Sequence, residues 1–136
     1  VTHMDSAEAA ADWRESGEQT LDFFNAPSPN DCLWRLSVPQ TAPVLDVQVN
    51  GQTCAQYIEW HGAQRWLWAP ASAAVTVREA AVKAGGHATL FRASAAHGEA
   101  DKHVGVFTPL NAVQQRIQNE LKKQFDPAGV FNPGRL

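Results

Sequence analysis

The sequence is poor in charged residues and has no long hydrophobic run. Charged residues make up 18% of its 136 residues, compared with about 25% in a typical soluble protein. Its 11 Lys and Arg are outnumbered by 14 Asp and Glu, so it lacks the clustered basic residues that bind nucleic-acid phosphates. No apolar stretch approaches the ~20 residues of a membrane span, and no secretory signal pattern is present. We therefore expect a cytoplasmic protein without a nucleic-acid partner.

Motifs for binding metals and phosphates are also missing. The two cysteines, Cys32 and Cys54, do not form a CxxC, and the five histidines show no pair at the spacing of metal ligands. A zinc site needs three or four converging ligands of these types, so we expect no metal and two reduced thiols in the core. Neither a GxGxxG sequence nor a P-loop is present, so no phosphate-cradling loop is predicted.

The chain does contain enough apolar material for one folded domain. Hydrophobic residues make up 44% of the sequence, and a chain of this length buries roughly two-thirds of its unfolded surface. The first four residues, Val-Thr-His-Met, resemble the remnant of a cloning tag. We expect a tag remnant over residues 1–4 and a single domain over residues 5–136.

Alternation of apolar and polar residues predicts four main strands, and helical spacing predicts three helices. The predicted strands are 32–38, 53–60, 64–69 and 88–93, and the predicted helices are 6–16, 73–84 and one that opens at 108. Residues 44–49 are compatible with a strand or a short helix, and Asn50-Gly51 is a strong turn signal. Ser72 and Thr108 are the expected N-caps of the later helices, and Gly85-Gly86 is the expected end of the middle one. A mobile loop is predicted over 94–103.

The order of these elements is that of a ferredoxin-like α+β sandwich. We expect an antiparallel sheet with helices on one face, a long C-terminal helix and an extended tail. The other face of the sheet is then open or covered by a partner domain. Apolar residues recur at helical spacing in the last helix and are expected to form a buried stripe; they are Leu110, Val113, Ile117, Leu121 and Phe125.

Strand parity assigns a set of polar side chains to the open face of the sheet. If Trp34 faces the helices, Arg35 and His87 lie on the opposite face, and Glu59 joins them if Ile58 faces the core. An Arg in this position can bind a carboxylate through two parallel hydrogen bonds, and a His can act as acid or base near neutral pH. Simpler interpretations stay open, in which Arg35 forms an ion pair with Glu59 and His87 is a solvated strand-start residue.

Three further candidates lie beyond these strands. Arg92 leads into the polar loop, where a solvated side chain is the simpler interpretation. Asn132 and Arg135 lie in the tail, where an Asn-Pro-Gly turn can hold side chains firmly; the alternative is a surface tail without function. The tryptophans at 60, 66 and 68 favour a core or a domain interface over a cofactor site. No catalytic residue is assigned.

Four segments resemble one group of flavoproteins. The ending LKKQFDPAGVFNPGRL, over residues 121–136, resembles the terminal signature of FAD-linked oxidases of the vanillyl-alcohol-oxidase type. The segments WRLSVP at 34–39, EWHGAQRWL at 59–67 and GGHATLFR at 85–92 resemble the FAD-binding E subunit of bacterial glycolate oxidases. The resemblance runs from about residue 34 to residue 136 and covers only the C-terminal part of such a subunit.

The resemblance implies a C-terminal cap, or substrate, domain of a subunit that takes part in oxidising glycolate to glyoxylate. FAD is then bound mainly by an upstream domain that has no counterpart here, and this fragment alone is expected to be inactive and free of flavin. The implied partners are that FAD-binding domain, a flavin-containing D subunit, an iron–sulfur F subunit and a small 2-hydroxy acid. Through these subunits the domain is expected at the inner face of the membrane.

A second interpretation is left open by one departure from the family pattern. The D-type subunit carries a histidine-rich motif in its cap, whereas His87, His97 and His103 are isolated in this sequence. The alternative function is therefore a domain for subunit assembly or electron transfer that does not itself contact substrate.

Overall fold

The fold is built on a four-stranded antiparallel sheet, seen in a computed structural model that describes residues 3–131. Its strands are β1 (Asp31–Ser37), β4 (Gln56–Glu59), β5 (Gln64–Pro70) and β6 (His87–Arg92), and β2 (Gln48–Val49) pairs with β3 (Gln52–Thr53) in a separate hairpin. The helices are α1 (Ser6–Glu18), α2 (Ala74–Lys83) and α3 (Ala112–Phe125). Short 3-10 turns lie at Asp22–Phe24, Trp60–Gly62, Ala71–Ala73 and Gly98–Val104.

The strand order confirms the predicted ferredoxin-like α+β class. In the order β4-β5-β1-β6, every neighbouring pair is antiparallel, which is the arrangement of a split β-α-β fold. The first crossover, between β1 and β4, carries the β2–β3 hairpin where such folds usually carry a helix. Asn50 and Gly51 both have positive φ at the hairpin turn, as a tight two-residue hairpin requires.

The main core lies between the sheet and α2. Trp34, Leu36 and Leu67 are buried on this face of the sheet, and Val77 and Ala81 meet them from α2. Leu45 and Val47 of the first crossover extend the same cluster. This face is the one that strand parity predicted, because side chains of a strand alternate between its two faces.

The start of α2 differs from the prediction, whereas its end does not. A 3-10 turn precedes the helix, and its N-cap residue, Ala73, makes no side-chain cap. Ser72 is exposed and caps nothing. At the other end, Gly85 has a φ of +83° and the Gly86 N–H donates to the Ala81 carbonyl at 2.8 Å, as in a Schellman motif.

The last helix begins later than predicted and is not buried. Asn111 caps α3 and forms a capping box with Gln114, while the Thr108 hydroxyl instead donates to the Ala88 carbonyl at 2.9 Å. All of α3 lies within the described residues, and none of its side chains is buried. The prediction of a buried stripe is therefore wrong for this chain. Among residues 3–131, no helix has the length and apolar character needed to cross a membrane.

Candidate functional site

The second face of the sheet carries two rows of side chains that include three of the predicted site residues. One row crosses the strands β4, β5, β1 and β6 and consists of Tyr57, Trp66, Arg35 and Thr89; the next consists of Glu59, Gln64, Ser37 and His87. Arg35, Glu59 and His87 thus share one face, and we take this second face as the candidate site.

Arg35 lies in the middle of this face beside an aromatic ring. Its guanidinium carbon is 5.7 Å from the centre of the Phe91 ring, within the range of a cation–π contact. Among residues 3–131 no carboxylate lies within 4.0 Å of Arg35 and no hydrogen bond of its guanidinium is formed. The ion pair between Arg35 and Glu59, one of the two interpretations above, does not form, so the fork of donors on Arg35 is available to an anion.

Glu59 is instead held by three donors from its own surroundings. Its Oε2 accepts from the Trp66 indole N–H at 2.6 Å and from the Gln64 amide at 3.0 Å. Its Oε1 accepts from the Ser16 hydroxyl at the end of α1, also at 3.0 Å. The carboxylate therefore joins the β4 edge of the face to the N-terminal helix.

An aromatic cluster covers one half of the face. The 3-10 turn at Asp22–Phe24 brings Phe23 and Phe24 against Tyr57, with ring centres 5.4 Å apart in both pairs. Phe24 also meets Trp66 edge-on at 5.7 Å. The helices therefore do not all lie on one face of the sheet, since the N-terminal segment packs against the second face. On the β1–β6 side of that face Ser37, His87 and Phe91 are exposed, and Arg35 is half-buried.

A buried arginine that the sequence analysis missed fixes the turn after Glu59. Arg65 donates to the backbone carbonyls of Gly62, Pro43 and Ala42 at 2.6–3.1 Å. These contacts tie the β4–β5 turn to the first crossover. The sequence did carry a signal for it, because Arg65 has the same parity in β5 as the apolar Leu67 and Ala69.

The other predicted site residues are not gathered around Arg35. His87 is exposed at the first position of β6. Arg92 donates to the Gln19 side chain at 2.8 Å, so it ties β6 to the end of α1. Asn132 and Arg135 lie outside the described residues, and their roles stay predictions.

A cleft of about 600 Å³ lies at the other end of the sheet, between the β2–β3 hairpin and the Asp22–Phe24 turn. Two carboxylates, Asp22 and Asp31, line it together with Trp68 and Cys54, and burial raises the pKa of Asp31. Within the described part of the chain, no Lys, Arg or His lines this cleft. The negatively charged pyrophosphate of FAD does not fit there. No group of three or more His, Cys, Asp or Glu side chains among residues 3–131 is placed to hold a metal ion.

The fold and this face together define an α+β sandwich domain with a half-buried arginine on an aromatic sheet face. Over 124 residues the chain is 43% identical to glycolate oxidase subunit GlcE of Escherichia coli (strain K12). The match covers 91% of this chain and 30% of that subunit, which confirms the resemblance inferred from the motifs. Neither a family model nor a solved structure matches the chain.

Proposed function

We propose that this chain is the C-terminal domain of the FAD-binding subunit of a glycolate oxidase, and that it contributes to oxidising glycolate to glyoxylate. The observation that carries the proposal is the similarity to glycolate oxidase subunit GlcE along nine-tenths of the chain. The chain spans about three-tenths of that relative's length. The reaction removes two electrons and two protons from the substrate, and FAD bound mainly by the rest of the subunit would supply the electron acceptor.

Arg35 is the residue that we assign to the substrate or to the flavin edge. A 2-hydroxy acid presents a carboxylate, and an arginine fork binds a carboxylate through two parallel hydrogen bonds. Arg35 has no carboxylate partner among the described residues, and it lies half-buried beside the exposed Phe91. His87 lies in the adjoining row on β6 and is the candidate for proton transfer.

The exposed side of α3 supports the proposal that more of the same subunit packs against this domain. Val113, Ile117, Leu121 and Phe125 recur along the helix, and each is more than half exposed; we call them the α3 stripe. Continuous apolar surface of this kind marks an interaction site. Because seven-tenths of the relative lies outside the match, we assign the α3 stripe to the FAD-binding domain. The flavin-containing D subunit and the iron–sulfur F subunit are the further partners proposed.

The α3 stripe also favours the second candidate function. A domain whose main exposed apolar surface meets protein can serve assembly or electron transfer without contacting substrate. In that case Arg35 and the second face of the sheet would have no part in turnover. The two functions therefore differ in what the loss of Arg35 does.

The test replaces Arg35 in the complete subunit assembled with its partner subunits. Arg35→Ala is expected to lower kcat/KM for glycolate roughly ten- to hundredfold, because hydrogen bonds to charged groups contribute about 1.5–3 kcal/mol. Arg35→Lys should recover only part of the loss, since an ammonium group cannot form the paired contact. The measurement is steady-state oxidation together with the flavin content of each preparation.

Arg14→Ala is the matched control, because it removes an exposed arginine from α1 rather than from the α3 stripe, and it should leave kcat/KM unchanged. Full activity of Arg35→Ala would exclude the substrate role and support the assembly function. Asn132 and Arg135 are proposed to meet the flavin or substrate from the tail, and the same assay applies to them.

A further inference from the structure

We infer that Glu59 is a positioning residue, which sets the place of the Arg35 guanidinium through the rings of Trp66 and Phe91. The inference rests on the proposed function in one respect, namely that Arg35 meets the carboxylate of the substrate. It assigns Glu59 no contact with substrate or flavin. Glu59, predicted from the sequence as a site residue, would thus act by orienting Arg35.

The first step is the hold that Glu59 has on Trp66. The Trp66 side chain is almost fully enclosed, with 3% of the residue exposed, so its indole is largely shielded from water. That group donates to Glu59 Oε2 at 2.6 Å, and a buried donor without an acceptor is strongly disfavoured. Glu59 therefore selects the orientation of the indole in which this bond is made.

The second step is the contact between Trp66 and Phe91. The two ring centres lie 4.9 Å apart with the planes at 80°, an edge-to-face arrangement that aromatic pairs prefer. Phe91 is 46% exposed, and the register between β1 and β6 shifts beside it, between Leu33 and Trp34. Trp66 is the one aromatic ring paired with Phe91 in the described residues, so the orientation of the indole sets that of the Phe91 ring.

The third step is the contact between Phe91 and Arg35. The guanidinium lies 5.7 Å from the centre of the Phe91 ring, and neither an ion pair nor a hydrogen bond within residues 3–131 holds it elsewhere. Glu59 itself is engaged by Trp66, Gln64 and Ser16, so it does not neutralise the arginine. The arrangement orients Arg35 and leaves its donors open to an anion.

Nuclear magnetic resonance of this 136-residue chain tests the positioning without any ligand. The side-chain protons of Arg35, assigned with Arg35→Lys, should be shifted upfield by the Phe91 ring, and Phe91→Leu should abolish that shift. Glu59→Leu should remove most of the shift, whereas Glu59→Gln should keep it, because its amide oxygen still accepts from the indole. Gln64→Ala is the matched control, since it deletes a different donor to the same carboxylate, and should also keep the shift.

An unchanged Arg35 shift in folded Glu59→Leu would overturn the inference. If that variant does not fold, Trp66→Phe replaces it, because the ring then lacks the N–H by which Glu59 orients it, and retention of the shift would be equally contrary. In the complete subunit, Glu59→Leu should raise KM for glycolate about tenfold with little change in kcat, and this effect should vanish in an Arg35→Ala background. A third outcome separates the two proposals. If Glu59→Leu removes the upfield shift but Arg35→Ala leaves KM for glycolate unchanged, the positioning by Glu59 stands and the substrate role of Arg35 is refuted.

Discussion

Asp101 is a buried carboxylate that orders the segment after β6. It is 4% exposed, and its Oδ2 accepts from the Ser94 N–H at 2.9 Å and from the Cys32 thiol at 3.4 Å. Burial, and then Asp101, raise the pKa of Cys32 to about 11, so the thiol keeps the proton that it donates. The mobile loop predicted over 94–103 is instead a segment with a 3-10 turn, Gly98–Val104, tied to β1.

Asp101→Asn is expected to destabilise the chain at neutral pH by about 1–3 kcal/mol, because the hydrogen bonds that Ser94 and Cys32 donate are weaker to a neutral amide oxygen than to a carboxylate. Hydrogen bonding from the Ser94 side chain, then from its amide and from Cys32, lowers the pKa of Asp101 below its ordinary value. A carboxyl with a lowered folded-state pKa contributes stability above its unfolded pKa, and the contribution is lost as the pH falls through the folded-state pKa. The difference between variant and parent should therefore shrink below about pH 4.

Urea unfolding at pH 7 and at pH 3 measures the free energy of unfolding of the parent and of Asp101→Asn at each pH. Asp12→Asn, at an exposed position of α1, is the control and should change neither value by more than about 0.5 kcal/mol. Equal stability of Asp101→Asn and its parent at pH 7 would show that the buried contacts of Asp101 carry no net stabilisation.

At the scale of the elements, the chain is most closely packed at the connection between α2 and β6. The helix ends at a left-handed Gly85, and Gly86 then crosses directly beside the end of β1. A Cβ on Gly86 would lie 2.0 Å from the Ser37 carbonyl oxygen and 2.9 Å from the Val38 Cα. Both obstacles are backbone atoms, so the connection between α2 and β6 admits no side chain at this position.

Gly86→Ala should therefore lower the free energy of unfolding by about 3 kcal/mol, at the upper end of the range for overpacked sites. Gly17→Ala is the matched control, because a Cβ there meets nothing within 4 Å and alanine is preferred in a helix by roughly 0.5–1 kcal/mol. Thermal unfolding of both variants by circular dichroism makes the comparison. A Gly86→Ala variant as stable as its parent would mean that α2 leaves the sheet by another path.

At the scale of the whole molecule, the domain combines a closed core with a C-terminal helix, α3, that has no buried side chain. Val113, Ile117 and Leu121 are each 53–58% exposed, and Phe125 is 83% exposed. The helix is nevertheless well formed, with a capping box at Asn111 and Lys122 and Lys123 in its last turn. Its local signals therefore specify a helix, whereas its apolar side has no cover within the described residues.

Ile117→Ala should change the free energy of unfolding of this chain by less than about 0.5 kcal/mol, because the side chain is exposed and alanine favours a helix. In the complete subunit the same change should cost about 2–5 kcal/mol, as truncation of a buried Ile does. The measurement is the melting temperature of each protein with and without the substitution. A large loss of stability in the 136-residue chain would show that the stripe is buried there, as the sequence predicted. No loss of stability in either the chain or the complete subunit would show that the α3 stripe has no partner in the subunit.

Regular elements and the core face were predictable from the sequence because they depend on neighbours along the chain. A period of two placed Trp34 and Leu36 on one face and Arg35 on the other, since a strand alternates its side chains whatever packs against it. Asn50-Gly51 and Gly85-Gly86 marked a turn and a helix end because few other residues take a positive φ. The motifs likewise indicated the subunit that the comparison confirmed.

Contacts between elements distant in sequence required the folded chain. Glu59 pairs with Trp66 and Ser16 rather than with Arg35, because which acceptor a donor meets depends on the approach of other elements. An apolar helical stripe has the same pattern whether or not anything covers it, so the exposure of Ile117 was not encoded in its spacing. Periodicity is a local property of the backbone, whereas burial and hydrogen-bond partners arise only when separate elements come together.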